Sequence, residues 1–205
     1  MPVKTTTGKG KLVIVGLGLI GASLAKAIRA TGAYAEIVGI DADPNTCSLA
    51  VELGLVDKAS DELLSSLTGA SLLVLAVPVL AAEKILSQIA QAGLTNAFII
   101  TDVGSVKGVF VDAARRAFGF IPNTLVPGHP IAGSERSGVT AANAELFKRH
   151  TIILTPDEHT SSEAVKQVQE LWQLAGADVE CMPVLEHDQV LAATSHLPHL
   201  LAFGL

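Results

Sequence analysis

Strand and helix patterns alternate along the chain, which predicts an α/β fold built on a doubly wound, mostly parallel sheet with helices on both faces. Three observations carry that prediction. The apolar strand Leu12 to Val15 runs straight into Gly16-Leu17-Gly18-Leu19-Ile20-Gly21 and then into a helical stripe. Leu72 to Val77 is an unbroken apolar run, the pattern of a central strand covered on both faces. Apolar residues make up 49 % of the chain and charged residues 17 %, enough to fill a sizeable core.

The elements follow in order. Ile20, Leu24, Ala27 and Ile28 share one face of the first helix. Glu36 to Ile40 is the second strand, and Pro44 suits the first turn of a helix ending near Gly54. A short helix is expected over Asp61 to Leu67, then the central strand, then a helix over Val79 to Ala92. Ala97 to Asp102 reads as strand, Val106 to Phe118 as helix, and Leu125 to Gly128 and Thr151 to Thr155 as short strands. Thr160 and Glu163 have the spacing of a capping box before the stripe Val165, Val168, Leu171, Trp172 and Ala175, with Gly176 as the stop. Trp172 belongs to the core side of that stripe. Asp178 to Cys181 is the last strand, and from Leu185 the pattern is helical again. The chain ends in the apolar stretch Leu200 to Leu205, which predicts a further, helical segment to cover it. The domain division expected is therefore 1–183 for the sheet and 184–205 for the start of a C-terminal helical domain.

The glycine run has a Rossmann-type context. It follows a strand, opens a helix, and has Asp41 about twenty positions beyond its last glycine. Gly16 permits the tight turn, Gly18 lets the backbone approach a pyrophosphate, and Gly21 lets the helix pack closely. Leu19 and Ile20 sit in the helix's first turn, whose unpaired amides and partial positive charge face the same anion. Asp41 can accept hydrogen bonds from the ribose hydroxyls. No Arg or Lys lies between Val38 and Leu49, so a ribose phosphate would meet uncompensated carboxylate and NAD is favoured over NADP.

The net charge of -6 argues against a nucleic-acid partner. Leu72 to Ala82, broken by Pro78, is too short to span a bilayer. Neither Cys47 nor Cys181 has metal or redox spacing; both read as buried small hydrophobes in a reducing cytoplasm.

Ligands in such sheets lie beyond the carboxyl ends of the strands. Val77-Pro78 falls there, either along the cofactor or as a plain strand stop. So does Asp102-Val103-Gly104-Ser105-Val106-Lys107, where Ser105 is either a helix N-cap or a hydroxyl donor to the nicotinamide or a base. Lys107, a cation in a first helical turn, suggests an anion nearby or a solvated surface lysine. In Gly128-His129-Pro130 the proline biases His129 toward extended geometry and the flanking glycines leave room for a ligand, a setting that fits a general base, with a satisfied core histidine as the alternative. Ser195-His196-Leu197-Pro198-His199 carries two histidines three apart; with no further ligand to complete a site, no metal is expected.

Taken together, Gly16 to Ser23, Asp102 to Lys107, Gly128-His129-Pro130-Ile131-Ala132-Gly133-Ser134-Glu135 and Ser195 to His199 resemble the prephenate/arogenate dehydrogenase family, in order and over nearly the whole chain. The wording of the last two motifs looks closest to bacterial cyclohexadienyl dehydrogenases of tyrosine biosynthesis. The resemblance implies that His129 takes the ring-hydroxyl proton of prephenate or arogenate as hydride passes to NAD, carbon dioxide is lost and the ring becomes aromatic. It implies that Ser105 aligns His129 and the nicotinamide, that His196 fixes the substrate ring, and that Glu135 lies near the substrate side chain or gates the pocket. It also implies a homodimer in the full-length form, through a helical C-terminal domain that supplies an arginine to the ring carboxylate. Within this chain Lys107, Arg136 and Arg149 are the cations that could face a dianionic substrate, so this chain is expected to bind NAD and turn over poorly or not at all. A 3-hydroxyacid-type dehydrogenase and a non-catalytic NAD-binding regulatory module are the alternatives.

Overall fold

The computed structural model describes residues 9–192. Among these, six strands form one parallel sheet: β1 (Lys9–Val15), β2 (Tyr34–Ile40), β3 (Lys58–Ser60), β4 (Ala70–Leu75), β5 (Ile99–Asp102) and β6 (Leu125–Val126). Their order is β3-β2-β1-β4-β5-β6. The chain builds outward from β1 to one edge, then returns to build toward the other. That reversal between β1 and β4 opens a crevice at the carboxyl ends of the two strands.

The helices are α1 (Leu19–Thr31), α2 (Pro44–Glu52), α3 (Leu63–Leu67), α4 (Val79–Gln91), α5 (Lys107–Phe118), α6 (Ser162–Leu174) and α7 (Val184–Leu191). Period-2 alternation divides the core. Leu12, Ile14, Leu72 and Val74 face a layer with Leu24, Ile28, Val168 and Trp172, whereas Val13, Val15, Leu73 and Leu75 face one with Leu86, Ile89 and Phe110. Trp172 is fully buried, its ring edge-on to Phe147 at 5.1 Å between centroids. None of these helices is long and apolar enough to cross a membrane.

A second sheet was not legible as such. The expected strand over residues 125–128 divides at Pro127, which has no amide to give to the ladder and whose carbonyl accepts from Thr155 instead. The chain then leaves β6 and continues as β7 (Gly128–Pro130), antiparallel to β8 (Thr151–Leu154), itself parallel to β9 (Asp178–Cys181). Ile152 and Leu154 insert into the α1 and α6 layer. The loop between β7 and β8 is tied to α1, where buried Ser23 accepts from the Asn143 amide at 3.0 Å. The three-residue strand β3 also escaped the sequence reading, because it is too short to show alternation.

Two local expectations are corrected. Ser161, not Thr160, caps α6, accepting from the Ala164 amide; Thr160 is engaged with the Asp157 carboxylate in the preceding turn. Cys47 is buried as expected, but Cys181 is exposed, because β9 is the outer strand of the small sheet.

Candidate active site

The glycine turn joins β1 to α1, and its three glycines differ in what surrounds them. Gly16 has φ +91°, and a Cβ there would stand 2.3 Å from the Ala76 carbonyl oxygen. A Cβ at Gly21 would stand 1.9 Å from the Gly16 oxygen, so α1 could not sit this close to its strand. At Gly18 nothing lies within 4 Å. Gly18 is therefore glycine for the sake of the space in front of it, whereas the other two serve the fold. Just beyond, Leu19, Ile20 and Gly21 precede the first intrahelical bond, Ala22 amide to Gly18 carbonyl, and no acid stands in that first turn. Amides left over at the positive end of a helix favour an anion.

Asp41, at the end of β2, holds the turn from the other side. One carboxylate oxygen accepts from the Leu17 amide at 2.8 Å and the other from the Asp43 amide at 3.0 Å. A cleft of about 480 Å³ runs from Gly16, Gly18 and Asp41 to Val77 and Pro78. Those two residues also wall a neighbouring cleft of about 250 Å³, lined further by Asp102, Gly104, Ser105 and Phe110. The structure thus brings Gly16, Gly18, Asp41, Val77, Pro78 and Ser105 onto one continuous edge. Those shapes and donors fit a dinucleotide.

Ser105 is exposed on that edge and is not the N-cap of α5; Val106 occupies that position without a side-chain bond. Lys107 does have an anion beside it, but that anion is Asp102, so neither a substrate-facing nor a surface role holds. Lys107 is fully buried, donating to the Asp102 carboxylate at 2.5 Å and to the Gly128 carbonyl at 2.6 Å. An ammonium sealed in this way has no face to offer a substrate. Asp102 in turn accepts from the amides of Gly104 (2.9 Å) and Gly128 (3.1 Å). Burial pushes the Asp102 carboxyl up and the Lys107 ammonium down, and their mutual attraction opposes both shifts. The pair grips Gly128 by both its amide and its carbonyl, one residue before His129.

His129 is half-buried on β7, with Nδ1 2.9 Å from Nε2 of His187. His187, on α7, is fully buried, and its Nδ1 is 2.7 Å from Oδ1 of Asp188. Asp188 also accepts from the amides of Lys107 (2.9 Å) and Gly108 (2.8 Å), so α7 supplies the cap that α5 lacks in its own sequence. Burial raises the Asp188 carboxyl, but the Gly108 and Lys107 amides and the His187 ring outweigh it and hold it below the usual carboxylate range. Sequence reasoning missed both His187 and Asp188. The one available signal was indirect: a helix opening on Lys107 with no acid in its first turn needs an acceptor from elsewhere.

Glu135 and Arg136 are exposed in the loop after β7. Arg149 is removed from this edge: its amide bonds Gly176, beside Lys148 at the C-terminal end of α1. His196, with Ser195, Pro198 and His199, lies outside the described residues. Among the described residues no three His, Cys, Asp or Glu side chains gather as metal ligands.

Comparison with known proteins bears on this edge. The family described as "Prephenate dehydrogenase, nucleotide-binding domain" matches residues 24–181. The prephenate dehydrogenase of Bacillus subtilis is 37 % identical over 96 % of this chain and 53 % of its own length. The cyclohexadienyl dehydrogenase of Zymomonas mobilis is 40 % identical over 95 % of this chain and 65 % of its own. The chain thus spans between half and two thirds of these relatives. Among solved structures, prephenate dehydrogenase from Aquifex aeolicus in complex with hydroxyphenyl propionate and NAD+ superimposes with a TM-score of 0.88, at 34 % identity, covering 96 % of this chain and 68 % of that one.

Proposed function

The chain belongs to the prephenate dehydrogenase family, and from that premise we propose that it forms the NAD-binding and proton-accepting part of an enzyme that oxidatively decarboxylates prephenate or arogenate. One observation carries the reading. His129 follows Gly128, Gly128 is held by Asp102, and Asp102 lines the cleft that shares Val77 and Pro78 with the glycine turn. This supports a base set close to the dinucleotide site, one residue past a backbone group that a cleft-lining carboxylate holds.

The residues present fit NAD. Gly18 leaves open space for the pyrophosphate, the first-turn amides of α1 donate to it, and Asp41 accepts from the ribose hydroxyls; among the described residues lining that cleft there is no Lys or Arg to meet a ribose phosphate. NAD, when bound, supplies the hydride acceptor. His129 accepts the proton of the substrate's ring hydroxyl, which lets the carbon bearing it give up hydride; loss of the ring carboxylate as carbon dioxide then makes the ring aromatic and drives the reaction forward. Ser105, on the cleft wall, orients the nicotinamide end and the imidazole. His196 and Glu135 contact the substrate, and a helical segment beginning at residue 184 completes its pocket. A homodimeric full-length enzyme and a cytoplasmic setting belong to the same reading.

The test is a titration of the chain with NAD and NADP, followed by NADH absorbance with prephenate and with arogenate. The expected result is NAD binding with NADP weaker by at least roughly tenfold, since one phosphate facing Asp41 without a partner costs at least about 1.4 kcal/mol. Failure to bind NAD, or a preference for NADP, would remove the reading. A rate with either substrate tells which side chain, keto or amino, the pocket accepts.

A further inference from the structure

We infer that His187 and Asp188 are positioning residues that fix which nitrogen of His129 carries the proton, leaving the basic lone pair on Nε2. The inference rests on His129 being the base of the proposed reaction.

Hydrogen-bond polarity along this line is set from Asp188 outward. Asp188 accepts from two backbone amides, Lys107 and Gly108, and a carboxylate so placed has no proton to give. The amides, together with the His187 ring, keep it ionised against the cost of its burial. At 2.7 Å from Asp188, Nδ1 of His187 must be the donor, and in the uncharged ring the lone pair is then at Nε2. Nε2 of His187 is 2.9 Å from Nδ1 of His129, and two lone pairs cannot face each other at that distance. Nδ1 of His129 is then an N–H, and its acceptor nitrogen is Nε2.

Both ends of this relay are held. His187 is fully buried where α7 packs on α5, so its ring has no solvent in which to turn over. Among the described residues, the other titratable groups at this junction are Asp102 and Lys107, which are turned toward each other and toward Gly128, where they fix the backbone beneath His129. When His129 accepts a proton, the charge it gains faces the Asp188 carboxylate through His187. A base that starts in the wrong tautomer loses its function although its geometry is intact.

Long-range nitrogen–proton correlation spectra of the chain, made with nitrogen-15-labelled histidine, read the tautomer directly and need no turnover. His129 is assigned by the signal that disappears in His129→Asn. The expected spectrum has His129 and His187 both protonated at Nδ1, with Nε2 of each at the shift of an unprotonated nitrogen. His187→Asn retains a group at the Nδ1 position for Asp188 but cannot reach His129. The proton of His129 should then redistribute toward Nε2, and in an active full-length form kcat should fall on the order of 10²-fold with the KM for NAD unchanged. His187→Gln, which places an amide oxygen near the lost Nε2, should restore the tautomer and much of the rate. Protonation at Nε2 of His129 in the unaltered chain overturns the inference whether or not either variant folds, and so does a His129 tautomer indifferent to His187→Asn. The correct tautomer in a chain that binds no NAD would instead overturn the functional reading and leave the relay standing.

Discussion

His129→Asn removes the acceptor nitrogen that the proposed chemistry needs while leaving the cofactor cleft untouched. Hydride transfer should drop by at least about 10²-fold, with NAD affinity nearly unchanged; retained activity in an NADH assay would take the base assignment away. Single residues in the glycine turn separate ligand from fold in the same manner. Gly18→Ala places a methyl where nothing stands within 4 Å, so stability should change by less than about 1 kcal/mol while NAD binding weakens at least roughly tenfold. Gly21→Ala drives its methyl into the Gly16 carbonyl and should destabilise folding by about 1–3 kcal/mol in urea titrations. At this scale the sequence was informative about place: Gly16, Gly18 and Asp41 line one cleft and Ser105 its neighbour, while Gly21 packs α1 against the turn. Lys107 was misread, because nothing local to a first helical turn shows that the side chain folds inward onto an aspartate.

Elements, rather than residues, hold the imidazole in place. The Asp102 and Lys107 pair links the end of β5 and the start of α5 to the first residue of β7, so three elements meet at Gly128. Lys107→Met leaves a buried carboxylate without its counter-ion and should cost about 3–5 kcal/mol, measured by urea denaturation. Adding Asp102→Asn should recover part of that loss, because the uncompensated charge goes with it; strict additivity would mean that the two side chains do not act as a pair. Capping shows the same division between local and distant signals. Asp43 caps α2 as a neighbour in sequence, accepting from Asn45, and Pro44 in the first turn announced it. The cap of α5 comes from Asp188, far along the chain, and no reading of residues 102–118 could supply it.

Across the whole molecule, depressed carboxylates link stability to acid. Asp57 ties Arg29 and the Ile37 amide together, and Asp188 ties α7 to α5; burial raises both carboxyls, but their donors outweigh it and hold both below the ordinary aspartate range. A folded-state pKa below the unfolded one gives stability that is complete above about pH 4 and is lost as pH falls through the lower folded value. Melting temperature should therefore hold steady down to about pH 4 and fall below it, with amide exchange at Lys107 and Gly108 rising in the same range. An Asp188→Asn chain should lack that part of the acid transition. The α/β class, the parallel strands and the glycine turn faced by Asp41 were legible in the sequence alone. Each of these is written in contiguous residues, through turn chemistry, period-2 alternation or a charge beside a glycine loop. The departure of β7 into a second sheet, the burial of Lys107 and the line from His129 through His187 to Asp188 were decided by tertiary structure alone. They join residues from separate elements, and only the packing of α7 on α5 and of β7 beside β5 brings those side chains within a hydrogen bond of one another.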